Sequence, residues 1–289
     1  MKAFFHILLF AVLLAAFPVS VAAASNAPYE SEKGQAVIGP PAPPTEASFP
    51  SSGSNGLTVV IDPGHQGSWV DMSAQEPMAP GSSETKAKAT TGTQGSYSGV
   101  PEYEVNLQVS LALEQELSER GYRVVMTRTD NDTAISNKER AELATREAAD
   151  ITVRIHANSD GSSSAAGALT MAPTSSNAYL DPVLIENSNT LASCILEHYC
   201  SATGLQNRGV ISADTMTGTN WSTVPVAILE MGFMSNQGDD LYITDTANHT
   251  LMAQSIADGI DEYFSTVVSS ETQPSSVPHV SPASPSPAS

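Results

Sequence analysis

Short apolar runs alternate with amphipathic stretches through the middle of this chain, and that alternation leaves few folds open. Leu57-Thr58-Val59-Val60-Ile61 has the composition of a buried strand. Glu102 to Arg120 follows helical periodicity, with Leu107, Leu111, Leu113 and Leu117 among Gln and Glu, and Gly121 is placed to end it. The pattern then gives a strand over 122–126, a charged helix over 137–149 and a strand over 151–155. A strand over 167–171, a helix over 186–203 closed by Gly204 and a short strand over 209–211 follow. Val224 to Leu229 has the most buried character of all and ends at Glu230, and Thr246 to Phe264 forms the last helix. Strand–helix alternation of this kind predicts a single α/β domain, a mainly parallel twisted sheet flanked by helices on both faces.

The flanks differ in composition. Residues 1–24 carry an apolar run from Ile7 to about Val21, followed by Ala22-Ala23-Ala24, the pattern of a secretory signal peptide. A retained membrane anchor fits less well, because the run is shorter than the ~20 residues a spanning helix needs and Pro18 interrupts it. Residues 25–55 are a Pro/Ser/Ala-rich linker, and 267–289 are a Ser/Pro-rich disordered tail. The domain is therefore placed at 56–266, with one long polar loop insertion at 66–100. Lys and Arg total 12 against 31 Asp and Glu, a balance that disfavours nucleic acid as a partner. The expectation is an exported protein, extracellular or in the wall or periplasm, with no stable membrane insertion, and a monomer. Cys194 and Cys200 share one predicted helix. Six residues of helix rise ~9 Å, beyond the usual span of a disulfide, so two free thiols are expected.

The chemistry-bearing residues fall at the ends of the predicted strands. Pro63-Gly64 makes a sharp exit from the first strand and leads to His65. His156 follows the third strand directly, Glu102 opens a helix, and Glu230 ends the last strand. Parallel strands gather their carboxyl ends on one edge, where open α/β sheets bind ligands. Two imidazoles and one carboxylate satisfy a catalytic zinc site with an open position, and a fourth group could act as base. Spacing alone leaves the alternative that each histidine is a hydrogen-bonded strand-end residue.

The flanking residues form a recognisable series. Val-Val-Ile-Asp-Pro-Gly-His at 59–65, Pro-Glu-Tyr-Glu-Val-Asn-Leu at 101–107, Ile-His-Ala-Asn-Ser at 155–159 and Pro-Val-Ala-Ile-Leu-Glu-Met-Gly-Phe-Met-Ser-Asn at 225–236 stand in this order. Thr127-Arg128-Thr129-Asp130 and Glu139-Arg140-Ala141 lie between them. Together these resemble the zinc-dependent N-acetylmuramoyl-L-alanine amidases of the amidase-3 family, over about residues 57–265. The resemblance implies that His65, Glu102 and His156 hold one Zn²⁺ per chain, with Glu102 rather than Glu104 as the carboxylate ligand. It implies that Glu230 is catalytic. The implied substrate is peptidoglycan, cut by a zinc-activated water at the amide between the lactyl group of N-acetylmuramic acid and L-alanine. Rival functions are a zinc peptidase acting within the stem peptide and a wall-binding protein without activity.

Several positions depart from the family pattern or stand outside it. The segment 66–100, with Trp69, Met78 and Tyr97, is longer than in compact members; it is either a wall or lid of the substrate groove or a flexible insertion. Arg154 stands where many relatives carry a small serine. Arg208 suits bidentate recognition of a substrate carboxylate. Trp221 could pack under a sugar or peptide, or in the core. His198 and His249 are expected at the surface.

Overall fold

The computed structural model describes residues 55–271. The leader at 1–24, nearly all of the linker and the end of the tail lie outside the described residues. The elements are β1 (Thr58–Pro63), β2 (Gln75–Pro77), β3 (Thr85–Ala87), α1 (Glu102–Glu119), β4 (Arg123–Met126), α2 (Asn137–Arg146) and β5 (Ile151–Asn158). They continue with β6 (Ala168–Ala172), α3 (Pro182–Thr203), β7 (Asn207–Ser212), α4 (Thr217–Asn220), β8 (Val226–Phe233), α5 (Gln237–Thr244) and α6 (Thr246–Glu271).

Six strands make one sheet in the order β4-β1-β5-β8-β6-β7. Pairing is parallel from β4 through β8 and again between β6 and β7, and antiparallel only between β8 and β6. The reversal has a local cause. The connection from β5 to β6 contains no helix, so the chain stays at the edge where β5 ends and runs back. A parallel neighbour would need a crossover of a dozen residues or more. The mainly parallel sheet expected from the alternation is the one observed.

Side-chain alternation along the strands feeds two unequal cores. Val59, Ile61, Val153, Ile155, Ala227 and Leu229 pack in one cluster with Leu113 of α1, Leu191 of α3 and Ile256 of α6. The opposite face is smaller there, with Val60 packed against Ala144 of α2 and against Ala149. Thr152, Arg154 and His156 of β5 belong by alternation to this second face. It is here, beside the thinner helical layer, that polar side chains collect.

Some boundaries moved. α3 starts at Pro182, where Pro fits the first turn and Asp181 accepts a hydrogen bond from Val183 N at its N-cap. α3 runs on past Cys200, and both cysteines are free thiols on it. α6 extends to Glu271 rather than stopping near Phe264, and Phe264 and Val267 pack on the main core. His249, expected at the surface, is buried, with Nε2 2.9 Å from the carbonyl of Ile243. It fills the junction where α5 hands over to α6. His198 is partly exposed and pairs with Glu262 at 2.8 Å. No helix among the described residues is long and apolar enough to cross a membrane.

The segment 66–100 is built rather than loose. β2 and β3 form an antiparallel hairpin, and Met72, Glu76, Met78 and Ala79 are buried in it. Glu76 accepts from Lys138 N at 3.0 Å, capping the start of α2. Asp240 accepts from Tyr97 N and Ser98 N at 2.7 and 2.9 Å.

The tightest helix contact lies between α3 and α6. A Cβ on Gly259 would stand 2.6 Å from Ile195 Cα and 2.7 Å from Cys194 O. Alanine gains about 1 kcal/mol of helix propensity over glycine, but forcing two backbones apart costs about 1–3 kcal/mol. Gly259→Ala should therefore lower the melting temperature, measured by circular dichroism; an unchanged or raised value would show that the two helices can separate freely.

Candidate metal centre

The centre is built outward from Asp62 near the end of β1. This carboxylate is buried, and three side chains converge on it. Arg140 Nη1 donates to Oδ1 at 2.5 Å, Thr127 Oγ1 to the same oxygen at 2.6 Å, and Arg154 Nε to Oδ2 at 2.6 Å. Burial by itself would raise the Asp62 pKa, but the charges of Arg140 and Arg154 outweigh it and hold the carboxyl far below the usual range. Arg154, which stands apart from the family pattern, is thus half of this anchor.

Arg140, together with Arg128, also fixes the turn that follows. Arg128 donates to the carbonyls of Pro63 and Gly64, each at 2.9 Å. Arg140 donates to the carbonyls of Pro63 at 2.7 Å and His65 at 3.0 Å. His65 takes φ 63, the left-handed region that non-glycine residues seldom occupy. Successive carbonyls held by guanidinium groups keep it there. Burial and the neighbouring charge of Arg140 bring Arg128 down to about 10, which still leaves it cationic at neutral pH.

Three donors meet above this turn. Glu102 Oε1 lies 3.1 Å from His65 Nε2 and 3.3 Å from His156 Nδ1. The three potential ligand atoms lie within 4.8 Å of one another. Glu102 comes from the first turn of α1 and His156 from β5, which continues through it to Asn158 rather than ending before it. The surroundings orient each group. His65 Nδ1 is 2.8 Å from Thr90 O; Glu102 accepts from Thr93 N at 2.9 Å, from Ala157 N at 3.1 Å and from Asn106 Nδ2 at 3.2 Å. A Cβ on Gly64 would sit 2.2 Å from the His156 ring, and one on Gly92 2.5 Å from Glu102 Oε2. Glycine at both places lets the backbone close around the trio.

Proton accounting favours a cation here. His65 turns Nδ1 towards Thr90 O and Nε2 towards Glu102 Oε1, so one ring nitrogen is oriented by the loop and the other by the carboxylate. His156 Nε2 is buried with no hydrogen-bond partner. Burial pulls the His156 pKa down to about 4, so its imidazole is neutral and has a lone pair to give. Burial opposes ionisation of Glu102, yet its contacts with His156 and His65 keep its pKa well below the ordinary value. Two imidazole nitrogens and one anionic oxygen match the donor set of a three-ligand metal site.

Glu230 stands in the middle of β8, in direct register with His156 on the neighbouring parallel strand. Adjacent residues in register point to the same face, so its carboxyl borders the trio without belonging to it. The ladder slips after this pair, where Asn158 meets Phe233. Burial, and then the Glu102 charge, push the Glu230 pKa up to about 8, against the opposing influence of Arg154. Among the described residues its carboxylate has no hydrogen-bond partner.

The other candidates are dispersed. Glu104 lies outside the trio and accepts from Asn131 at 2.6 Å and Gln108 at 3.0 Å. Arg208 starts β7 at the sheet edge where β8 ends; it donates to Ala166 O at 3.1 Å, with its guanidinium 5.1 Å from the Phe233 ring centre. Trp221 is engaged elsewhere: Nε1 donates to Pro77 O at 2.9 Å and Lys138 Nζ lies 4.2 Å from its ring centre, so it fastens the hairpin. The contributions of Thr90, Gly92 and Thr93 are not visible in the sequence, because a polar loop gives no sign of which carbonyl or amide will point at a ligand.

The structure is a mainly parallel α/β sheet carrying a His-Glu-His group that can hold a metal ion, and comparison with known proteins places it. The model of the N-acetylmuramoyl-L-alanine amidase family, Amidase_3, matches residues 59–262. The chain belongs to this family, and membership supports hydrolysis of cell-wall amides. YqiI of Bacillus subtilis is 30% identical over 223 residues, which is 77% of this chain and 91% of YqiI. The N-acetylmuramoyl-L-alanine amidase LytC of the same organism is 30% identical over 72% of this chain, but the match spans only 36% of LytC. The apo crystal structure of Ami1, an N-acetylmuramyl-L-alanine amidase from Mycobacterium abscessus, superposes with a TM-score of 0.65 at 28% identity, covering 72% of this chain and 99% of Ami1.

Two outcomes test the site as built. A depressed folded-state pKa means that Asp62 stabilises the fold above its unfolded value of about 4 and that this stabilisation is lost as pH falls through the folded value. Asp62→Asn should therefore cost about 3–5 kcal/mol at pH 7, and the deficit should shrink as pH drops below about 4, measured by denaturant unfolding at several pH values. A deficit independent of pH would remove the charge from the explanation. Gly92→Ala should lower bound metal, measured by elemental analysis, while leaving the far-ultraviolet circular dichroism intact.

Proposed function

We propose that this chain is an exported zinc amidase that hydrolyses the bond between the lactyl group of N-acetylmuramic acid and the L-alanine of the stem peptide in peptidoglycan. The observation that supports this most is the convergence of His65, Glu102 and His156 with Glu230 in register beside them. His65, Glu102 and His156 hold one Zn²⁺, whose preference for nitrogen and oxygen donors with an open position they match. When bound, the ion supplies Lewis acidity to a water molecule and to the scissile carbonyl.

The chain's own groups do the rest. Glu102, held by two backbone amides and Asn106, stays an anion and takes no part in proton transfer. Glu230 has no hydrogen-bond partner among the described residues and a pKa raised to about 8, so it exchanges protons near working pH: as the carboxylate it takes a proton from the attacking water, and it then delivers that proton to the nitrogen of the leaving L-alanine. As the C–N bond breaks, the lactyl group becomes a carboxylate and the peptide leaves with a free amine. Arg208, on the β7 side, offers its guanidinium to a carboxylate of the stem peptide. The protein acts as a monomer outside the cytoplasm.

Digestion of purified sacculi by the full-length chain with zinc, followed by mass spectrometry, tests this directly. Stem peptides with an N-terminal L-alanine and unsubstituted glycan are expected; cuts within the peptide would mean a peptidase, and intact sacculi a binding protein. Glu230→Gln should keep its zinc and lose on the order of 10²–10⁴ in turnover, whereas His65→Ala should lose zinc itself. Near-normal turnover in Glu230→Gln would take the proton-transfer role away from that residue.

A further inference from the structure

The segment 66–100 carries a feature that neither the metal nor the proton transfer uses. Trp69 is 63% exposed, although burying such a side chain is normally favourable. It is nonetheless fixed. Its Nε1 donates to Asp132 Oδ1 at 2.6 Å, and its ring meets Tyr103 edge to face with centroids 6.0 Å apart. It also packs close to Gly67, where a Cβ would stand 2.4 Å from the indole. An exposed indole held from three directions is a preorganised surface.

Its position ties it to the metal centre. Trp69 is close along the chain to His65, and Tyr103 directly follows Glu102. Beside it opens a cleft of about 360 Å³ lined by Gln66, Asp71, Ala89 and Thr90 among others, and Thr90 is the residue that orients His65. The strand order sets a direction. His156 and Glu230 come from β5 and β8, and His65 from the turn just after β1, all in the middle of the sheet. Trp69 is fastened to Asp132, beyond β4 at one outer edge, and Arg208 lies on β7 at the other.

We infer that Trp69 and the cleft beside it form a subsite for the glycan strand, with the stem peptide leaving towards Arg208. The inference rests on the amidase function proposed above and gives that site a polarity. A pyranose presents an apolar C–H face to an indole and hydroxyl groups to its surroundings. The cleft lining contains no basic residue; Asp71 lines it as an acceptor for hydroxyl donors, and Asp132 holds the indole beside it. The same carboxylates repel a peptide with free carboxylates, which Arg208 attracts. An uncharged N-acetylated sugar therefore fits the Trp69 side, and an anionic peptide the other.

Ligand-observed NMR on the full-length chain tests this with two probes, N,N′,N″-triacetylchitotriose and a sugar-free stem tripeptide. Wild type should bind both. Trp69→Ala should weaken chitotriose binding about tenfold and leave the tripeptide unchanged; Trp69→Phe should recover part of the loss. Gly67→Ala, which displaces the indole but keeps it, should weaken chitotriose as well. Absence of chitotriose binding in wild type, undiminished binding in Trp69→Ala, or loss of the tripeptide instead would each overturn the inference. Binding through Trp69 in a chain that leaves sacculi uncut would sink the amidase function and keep the subsite as a sugar site. Cutting of sacculi with chitotriose binding independent of Trp69 would sink the subsite alone.

Discussion

One buried carboxylate holds the architecture of the site together. Asp62 fixes Arg140 and Arg154, and Arg140 with Arg128 then fixes the carbonyls of Pro63, Gly64 and His65. Burying charges is costly unless each is paired and its remaining donors are used. Here the guanidinium donors of Arg128 and Arg140 are spent on the turn itself and one of Arg154 on Asn137, so desolvation is offset where it also sets geometry. A left-handed histidine at the rim of a sheet needs such a clamp, because nothing in its own sequence prefers that conformation.

The sheet contributes direction and the loop contributes closure. Parallel strands bring His65, His156 and Glu230 to a common edge, and α1 begins there with Glu102. What strands cannot do is seal the outer side of the trio. Thr90 and Thr93 do that by aiming a carbonyl at His65 and an amide at Glu102. The long insertion therefore acts as an orienting wall on the metal side, while its Trp69 remains turned outward.

Much of this was legible in the sequence, for identifiable reasons. The strand–helix alternation reports burial directly, and it located all six strands of the main sheet. The residues His65, Glu102, His156 and Glu230 lie in four motifs whose chemistry is read from residue type and order. What was hidden depended on contacts distant in sequence. The β2–β3 hairpin has strands of three residues, too short for a period to register. Trp221 reads from sequence as either a substrate platform or a core residue, and its partners, Pro77 of the hairpin and Lys138 of α2, are visible only in the fold. His249 looked exposed because its burial comes from the fold of α5 against α6 rather than from its own helix. Arg154 stood out as a departure, yet only the pairing of β1 with β5 places it opposite Asp62.

The metal trio has a consequence for how the molecule holds together. Its donors come from the turn after β1, from α1 and from β5, and the wall that orients them comes from a fourth stretch between the first two. An unfolded chain has no such cluster, so the affinity of the site for an ion exists only in the native state. If the trio takes the ion proposed above, binding and folding become a single linked equilibrium: at a free ion concentration one hundred times the dissociation constant, the native state would gain about 2.7 kcal/mol. A chelator would thus act on this protein as a mild denaturant, and the ion as the last element of its core.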